Sequence, residues 1–92
     1  MIRDIENKIK KLDSIGLVYL LGNLMYEKQF VKDYGKEKNF NKLLDFIKEE
    51  LVSKKVQIPK NEEELYYLSI IGEKWLLGYF GIKSLKELVE AY

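Results

Sequence analysis

The sequence contains neither cysteine nor histidine, and these two absences exclude several kinds of functional site. Disulfides, thiolate nucleophiles, imidazole bases and the usual zinc ligands are all missing, so the chain must fold by apolar packing alone. Threonine is absent as well, Arg3 is the single arginine, and Pro59 is the single proline. Catalysis would have to come from Asp, Glu, Lys, Tyr or Ser.

The acidic pairs and the glycines do not supply the missing chemistry. Glu49–Glu50 and the run 62–64 hold adjacent carboxylates, but neighbouring residues of a helix diverge by about 100° and do not face each other across a substrate. The acidic residues do not have EF-hand spacing, and no glycine opens a Gly-Lys-Ser/Thr phosphate-binding sequence. We therefore expect a protein that is not an enzyme, and we predict no catalytic, metal-binding or cofactor-binding residues.

Long apolar runs are also missing. The longest, residues 15–25, contains Asn23 and is about half as long as the roughly 20 residues that a helix needs to cross a bilayer. The first residues carry charges of both signs and lack the pattern of a signal peptide. We expect a cytoplasmic protein without a membrane span.

The feature that the sequence does contain is apolar periodicity of the helical kind. Hydrophobic residues make up 47% of the 92 residues and the net charge is +1, which is typical of a soluble globular protein of one domain. Apolar residues recur at spacings of three and four, and no alternating strand pattern of useful length occurs. We predict an all-α fold without β-sheet, a small bundle of four to five helices at residues 2–12, 16–34, 40–53, 62–80 and 85–91.

Capping residues indicate most of the helix ends. Asn39 or Asn41 is expected to begin the third helix and Asn61 the fourth, while residues 84–87 (Ser-Leu-Lys-Glu) form a capping box for the last. Gly81 is expected to end the fourth helix. Residues 53–60, which include Pro59, are expected to form an extended connector.

The first third of the chain allows two interpretations. Asp13 or Ser14 could cap a second helix after residue 12. Alternatively, one helix could continue as far as Tyr34, where Gly35 supplies a C-terminal stop. The sequence does not decide between one helix and two.

Residues 6–24 and 62–80 align at an offset of 56, so that Ile15-Gly16 matches Ile71-Gly72 and residues 19–22 (Tyr-Leu-Leu-Gly) match residues 75–78 (Trp-Leu-Leu-Gly). One interpretation is coincidence among residues that are common in helical cores. The other is physical, because a glycine inside a helix costs about 0.5–1 kcal/mol relative to alanine and is retained where backbones approach closely. On that interpretation the two segments cross near Gly16 and Gly72, within one chain or across a dimer axis.

Aromatic residues are more numerous than a small helical core readily buries. They make up 13% of the chain, and the adjacent pairs Tyr66–Tyr67 and Tyr79–Phe80 must point to different sides of their helix. Exposed Trp and Tyr are typical of protein interfaces. The first functional hypothesis is therefore a protein–protein interaction or assembly module, a homodimer or small homo-oligomer. Its candidate interface residues are Trp75, Tyr79, Tyr66, Gly16 and Gly72.

An alternative hypothesis is a small nucleic-acid-associated protein. Residues 28–60 carry a net charge of +4 and could present a weak basic face, although acids are interleaved with the lysines and arginine is scarce. The candidate residues are Lys36, Lys38, Lys42, Lys54, Lys55 and Lys83. A third hypothesis is an inhibitor or immunity-type protein that masks a partner, which the small helical format permits.

The C-terminal residues from Leu76 resemble the second half of a helix-hairpin-helix element, which binds nucleic acid. Phe80-Gly81-Ile82 matches its hydrophobic-glycine-hydrophobic turn, and the following apolar positions match its second helix. The element usually has a second glycine after this turn, where backbone amides approach phosphate. Lys83 stands at that position, so the resemblance implies phosphate contact without supplying its most diagnostic residue.

Overall fold

Helices account for most of the chain, as the periodicity predicts. The computed structural model describes residues 2–33 and 37–92, with the side chains of residues 27–33 and 62 outside the description. Within these ranges the elements are α1 (Ile2–Lys10), α2 (Ser14–Asp33), α3 (Glu37–Ser53), α4 (Glu62–Phe80) and α5 (Leu85–Ala91), and no strand occurs. The all-α prediction is confirmed for the described residues.

The first third of the chain forms two helices. Asp13 caps α2, because its Oδ1 atom accepts a hydrogen bond from the Gly16 backbone N–H at 2.8 Å. The carbonyl groups at the end of α1 and just after it are capped by a residue that is distant in the sequence. Lys54 Nζ donates hydrogen bonds to the carbonyl oxygens of Lys10 at 2.5 Å and Leu12 at 2.7 Å. The predicted range 2–12 is therefore two residues too long, and α2 begins two residues before the predicted 16. The predicted stop at Gly35 lies outside the described residues.

The predicted start of α3 at residue 40 is wrong, because residues 37–39 are already helical. The helix begins at Glu37, so Asn39 and Asn41 lie inside it and do not cap it. Asn39 instead donates from Nδ2 to the Val89 carbonyl oxygen at 3.5 Å and links α3 to α5. A short polar side chain that can cap a helix can equally bond a neighbouring backbone, and only the tertiary structure decides between the two.

The boundaries of α4 and α5 match the prediction. Asn61 Oδ1 accepts from the Glu63 N–H at 2.8 Å, and Gly81 ends α4 with φ of 68°. Before α5, the Glu87 carboxylate accepts hydrogen bonds from the backbone N–H groups of Lys83 at 2.6 Å and Ser84 at 3.2 Å. These two bonds lower the pKa of Glu87, since they favour its charged form.

The core is built around α2, which packs most extensively against α4 and also contacts α3 and α5. Fully buried side chains come from all five helices and include Ile9, Leu17, Leu20, Leu24, Phe40, Leu43, Ile47, Leu51, Leu76 and Val89. The Cα radius of gyration is 12.0 Å, close to the value of about 12 Å expected for one folded domain of this length. Of the helices described, none combines the length and apolarity that crossing a membrane requires.

Candidate interaction surface on helix α4

Glycines allow α2 and α4 to approach closely. A β-carbon on Gly72 would lie 2.5 Å from Tyr19 Cγ, and one on Gly16 would lie 3.4 Å from Trp75 Cη2. A β-carbon on Gly22 would lie 2.8 Å from the Leu65 carbonyl oxygen. Residues that come later in α2 thus contact residues that come earlier in α4, so the two helices run antiparallel. The crossing near Gly16 and Gly72 lies within one chain.

The sequence repeat has a structural counterpart at this crossing. At the offset of 56, Gly16 corresponds to Gly72 and Tyr19 to Trp75. The Gly16–Trp75 and Gly72–Tyr19 contacts are therefore equivalents of each other, the reciprocal pattern of a two-fold interface. In each contact an aromatic ring lies over a helix glycine.

The reciprocity ends at Gly78, the counterpart of Gly22. Nothing lies within 4 Å of the position that a β-carbon on Gly78 would take, and the residue is exposed. The backbone that covers Gly22 belongs to Leu65, whose counterpart is Ile9. Ile9 lies in α1, beyond the break that has no equivalent in the continuous helix α4.

The side of α4 that faces away from α2 is also apolar. Ile71 is 67% exposed and Trp75 is 50% exposed, and Tyr67 and Ile70 are exposed beside them. We call this side the outer face of α4; its members are Tyr67, Ile70, Ile71, Lys74, Gly78 and, at its edge, Trp75, whose ring also reaches Gly16 of α2. The opposite side buries Ser69, Gly72, Leu76 and Phe80. A helix that is hydrophobic on both sides is typically buried on both sides.

Aromatic rings extend the outer face at both ends. The Tyr66 ring lies 5.5 Å from that of Tyr26 and 6.0 Å from that of Tyr67, measured between centroids. The Trp75 ring stacks on Tyr79 at 5.3 Å with 13° between the ring planes. The rings thus continue the apolar surface from α2 to the C-terminal end of α4.

The predicted interface residues divide between this surface and the interior. Trp75 and Tyr66 are exposed at the surface, whereas Gly16 and Gly72 are buried at the α2–α4 crossing. Tyr79 is half-buried, and its hydroxyl donates to the Lys8 carbonyl oxygen at 2.6 Å. The predicted interface residues do not include the three neighbours Tyr67, Ile70 and Ile71, although the pair Tyr66–Tyr67 is expected to point to different sides of the helix. The signal for Tyr67 and Ile71 is a second apolar row at 67, 71 and 75, on the side opposite the row at 65, 69, 72 and 76.

The predicted nucleic-acid residues are spread along the molecule. Lys38 and Lys42 are exposed near the start of α3, and Lys54 and Lys55 follow its end, about 25 Å away along a helix of this length. The Lys54 ammonium donates hydrogen bonds to the carbonyl oxygens of Lys10 and Leu12. Lys83 is exposed in the turn before α5, and Lys36 lies outside the described residues.

Among the described residues, Asp and Glu side chains form no group of three that could hold a metal ion. Burial and a 2.7 Å hydrogen bond to Glu6 raise the pKa of the Tyr92 phenol, which is not part of the outer face, to about 12. Comparison with protein-family models, curated proteins and solved structures gives no match to this chain.

Proposed function

We propose that this protein is a non-enzymatic helical interaction module that self-associates through the outer face of α4. The observation that carries the proposal is that α4 is apolar on both sides while α2 covers only one of them. Exposed Ile, Tyr and Trp side chains clustered on one helix face are typical of a protein interface.

The exposed area indicates how strong the association should be. Tyr67 and Trp75 are about half exposed, which leaves roughly 100 Å² of each open, since aromatic side chains bury about 150–250 Å². Two copies meeting here would bury roughly 400 Å² from these rings, and the isoleucines bring the total towards the ~1,000 Å² where specific interfaces begin. We therefore expect a weak dimer whose population depends on protein concentration.

Sedimentation velocity over a wide concentration range tests this proposal. We expect the weight-average sedimentation coefficient to rise with concentration, and Ile71→Glu to abolish the rise because it places a charge in the contact. Val52→Glu is the matched control, because Val52 is 75% exposed on α3 and is equally apolar. A wild-type chain that stays monomeric throughout, or two variants that behave alike, would contradict the proposal.

Nucleic-acid binding is the second candidate, supported by the exposed pair Lys38 and Lys42, which lie one helical turn apart on α3. Non-specific binding through phosphates strengthens as salt is lowered. The test is a fluorescence anisotropy titration of labelled single-stranded and duplex DNA at low salt, with the double variant Lys38→Glu/Lys42→Glu as the comparison. Absence of any complex with the wild-type chain would eliminate this candidate.

A further inference from the structure

We infer that two copies pair through antiparallel α4 helices, with Tyr67 of each copy packed over Gly78 of the other. This inference rests on the self-association proposed above and adds its geometry. It specifies the partner as a second copy, the direction of the helices and the residues that meet.

The spacing of the outer face supports a helix partner. Tyr67, Ile71, Lys74 and Gly78 follow one another at intervals of four, three and four residues, the spacing at which one helix packs along another. Tyr67 and Gly78 are the two ends of this row and lie about 16 Å apart along the axis. An antiparallel two-fold pairing brings each Tyr67 opposite a Gly78 and each Ile71 opposite a Lys74. A parallel pairing would place the two bulky Tyr67 rings against each other. It would also place Gly78 opposite Gly78 and leave the space between these two residues unfilled.

The fold already contains aromatic rings against helix glycines. A β-carbon on Gly72 would lie 2.5 Å from the Tyr19 ring, and the edge of the Trp75 ring reaches Gly16 at the ordinary contact distance of 3.4 Å where α2 and α4 cross. Gly78 is exposed on the outer face with open space above it, and Tyr67 is 60% exposed on that face. A ring from a second copy fits the gap that the absent side chain leaves, because a helix glycine lets a neighbouring element approach closely.

The charges around the face favour the antiparallel direction. Glu63 and Glu64 are exposed at the start of α4, and Lys83 is exposed just beyond its end. In an antiparallel pair the acidic start of each helix lies beside the end of the other, which carries no charge in its last turn and has Lys83 just beyond it, and the two helix dipoles oppose. A parallel pair would bring like charges together. The acids also disfavour an anionic lipid surface as the occupant of this face.

Cysteine cross-linking tests the geometry cleanly, because the chain has no cysteine of its own. A disulfide requires Cα atoms about 4.4–6.8 Å apart. We expect a mixture of Tyr67→Cys and Gly78→Cys chains to form a disulfide-linked heterodimer under mild oxidation, while either variant alone forms little. Val52→Cys mixed with Gly78→Cys is the control for random collision. Gly78→Cys or Tyr67→Cys chains that cross-link efficiently to themselves would establish a parallel pair and overturn the inference.

A second measurement separates association from folding. Gly78→Ala and Gly78→Leu should both raise the thermal stability of the dilute monomer, because Gly78 is an exposed position inside a helix. Gly78→Leu should nevertheless weaken self-association about tenfold, since its side chain occupies the space assigned to Tyr67 of the second copy.

The outcomes for the inference and for the proposed function differ. A wild-type chain that associates, together with a Gly78→Leu chain that associates equally well, overturns the antiparallel contact and leaves the proposed function standing. A chain that is monomeric at every concentration overturns both. If such a monomer binds vesicles of neutral and anionic phospholipid with a blue shift of Trp75 fluorescence, the outer face belongs to a lipid surface.

Discussion

At the scale of single residues, Lys55 has a backbone conformation that residues other than glycine rarely adopt. Its φ is 56°, and among the described residues no other non-glycine residue has a positive φ. Lys55 N–H donates to the Val52 oxygen at 3.1 Å and Val56 N–H to the Leu51 oxygen at 2.9 Å, the pair of bonds with which a helix commonly ends at a glycine. The equivalent residue at the end of α4 is Gly81. A side chain with a β-carbon is disfavoured in this conformation.

Lys55→Gly should therefore stabilise the protein. Because the Lys55 side chain is exposed, its removal sacrifices little packing, and we expect the free energy of unfolding to rise by about 0.5–1 kcal/mol. Urea denaturation followed by circular dichroism measures the change. Lys55→Ala removes the same charge without relieving the backbone and is the matched control. A stabilisation of equal size in both variants would show that charge, not φ, is responsible.

A second prediction at the residue scale concerns the effect of Tyr92 on stability in alkaline solution. Its pKa is raised from 10.0 to about 12, first by burial and then by the hydrogen bond to Glu6. A group whose pKa is raised on folding contributes stability that is complete below the unfolded pKa and is lost as the pH rises through the folded pKa. We expect the free energy of unfolding to fall between about pH 10 and 12, and to fall less in Tyr92→Phe.

The measurement is urea denaturation of both chains at several pH values across that window. The other six tyrosines are common to the two chains, so their ionisation cancels in the difference. A constant difference in stability between wild type and Tyr92→Phe across the window would contradict the prediction.

At the scale of helices, two glycines of α4 should respond oppositely to the same substitution. Gly72→Ala places a β-carbon 2.7 Å from Tyr19 Cβ and 2.5 Å from Cγ. These atoms are fixed close to the α2 backbone, so the helices must separate, and we expect a loss of about 1–3 kcal/mol. Gly78→Ala meets nothing within 4 Å and should gain up to about 1 kcal/mol from helix propensity. Thermal unfolding of the dilute proteins checks both, and equal signs would show that α2 and α4 do not approach at Gly72.

Helix boundaries could be predicted where the chain itself supplies the signal. Asn61 and Gly81 delimit α4 through bonds to residues within four positions, and such bonds can be recognised in the sequence. The end of α1 could not, because Lys54 caps it from 44 residues away. The prediction that Asn39 caps α3 was wrong for the same reason, since the hydrogen-bond partner of Asn39 is Val89, which is distant in the sequence. Local caps are readable from the sequence and long-range caps are not.

At the scale of the whole molecule, the candidate surface was predicted only in part. The excess of aromatic residues predicts that some rings stay exposed, and Trp75 and Tyr66 are exposed; their role as interface residues stays a prediction. The sequence repeat predicts a crossing near Gly16 and Gly72, where the structure has Trp75 against Gly16 and Tyr19 against Gly72, but it cannot tell whether the two segments meet within one chain or between chains. Once α2 occupies the Gly72 side of α4, the residues on the opposite side become the free surface. Ile70 and Ile71 belong to it; Ile71 is part of the apolar row at 67, 71 and 75, whereas Ile70 lies outside that row and has no separate signal in the sequence.

Lys74 provides the last prediction, because it interrupts an apolar face. It is exposed between Ile71 and Gly78 on the outer face of α4, where the antiparallel pairing places it opposite Ile71 of a second copy. A polar residue at such a position typically fixes the alignment of two helices and lowers their affinity. Lys74→Leu should therefore tighten self-association about tenfold, as measured by sedimentation velocity, and should make cysteine cross-linking less selective for the Tyr67–Gly78 pair. Lys42→Leu, at an exposed position of α3, should change neither. If Lys74→Leu instead weakens association, the ammonium makes a favourable bond across the interface, and the outer face recognises its partner by charge as well as by apolar contact.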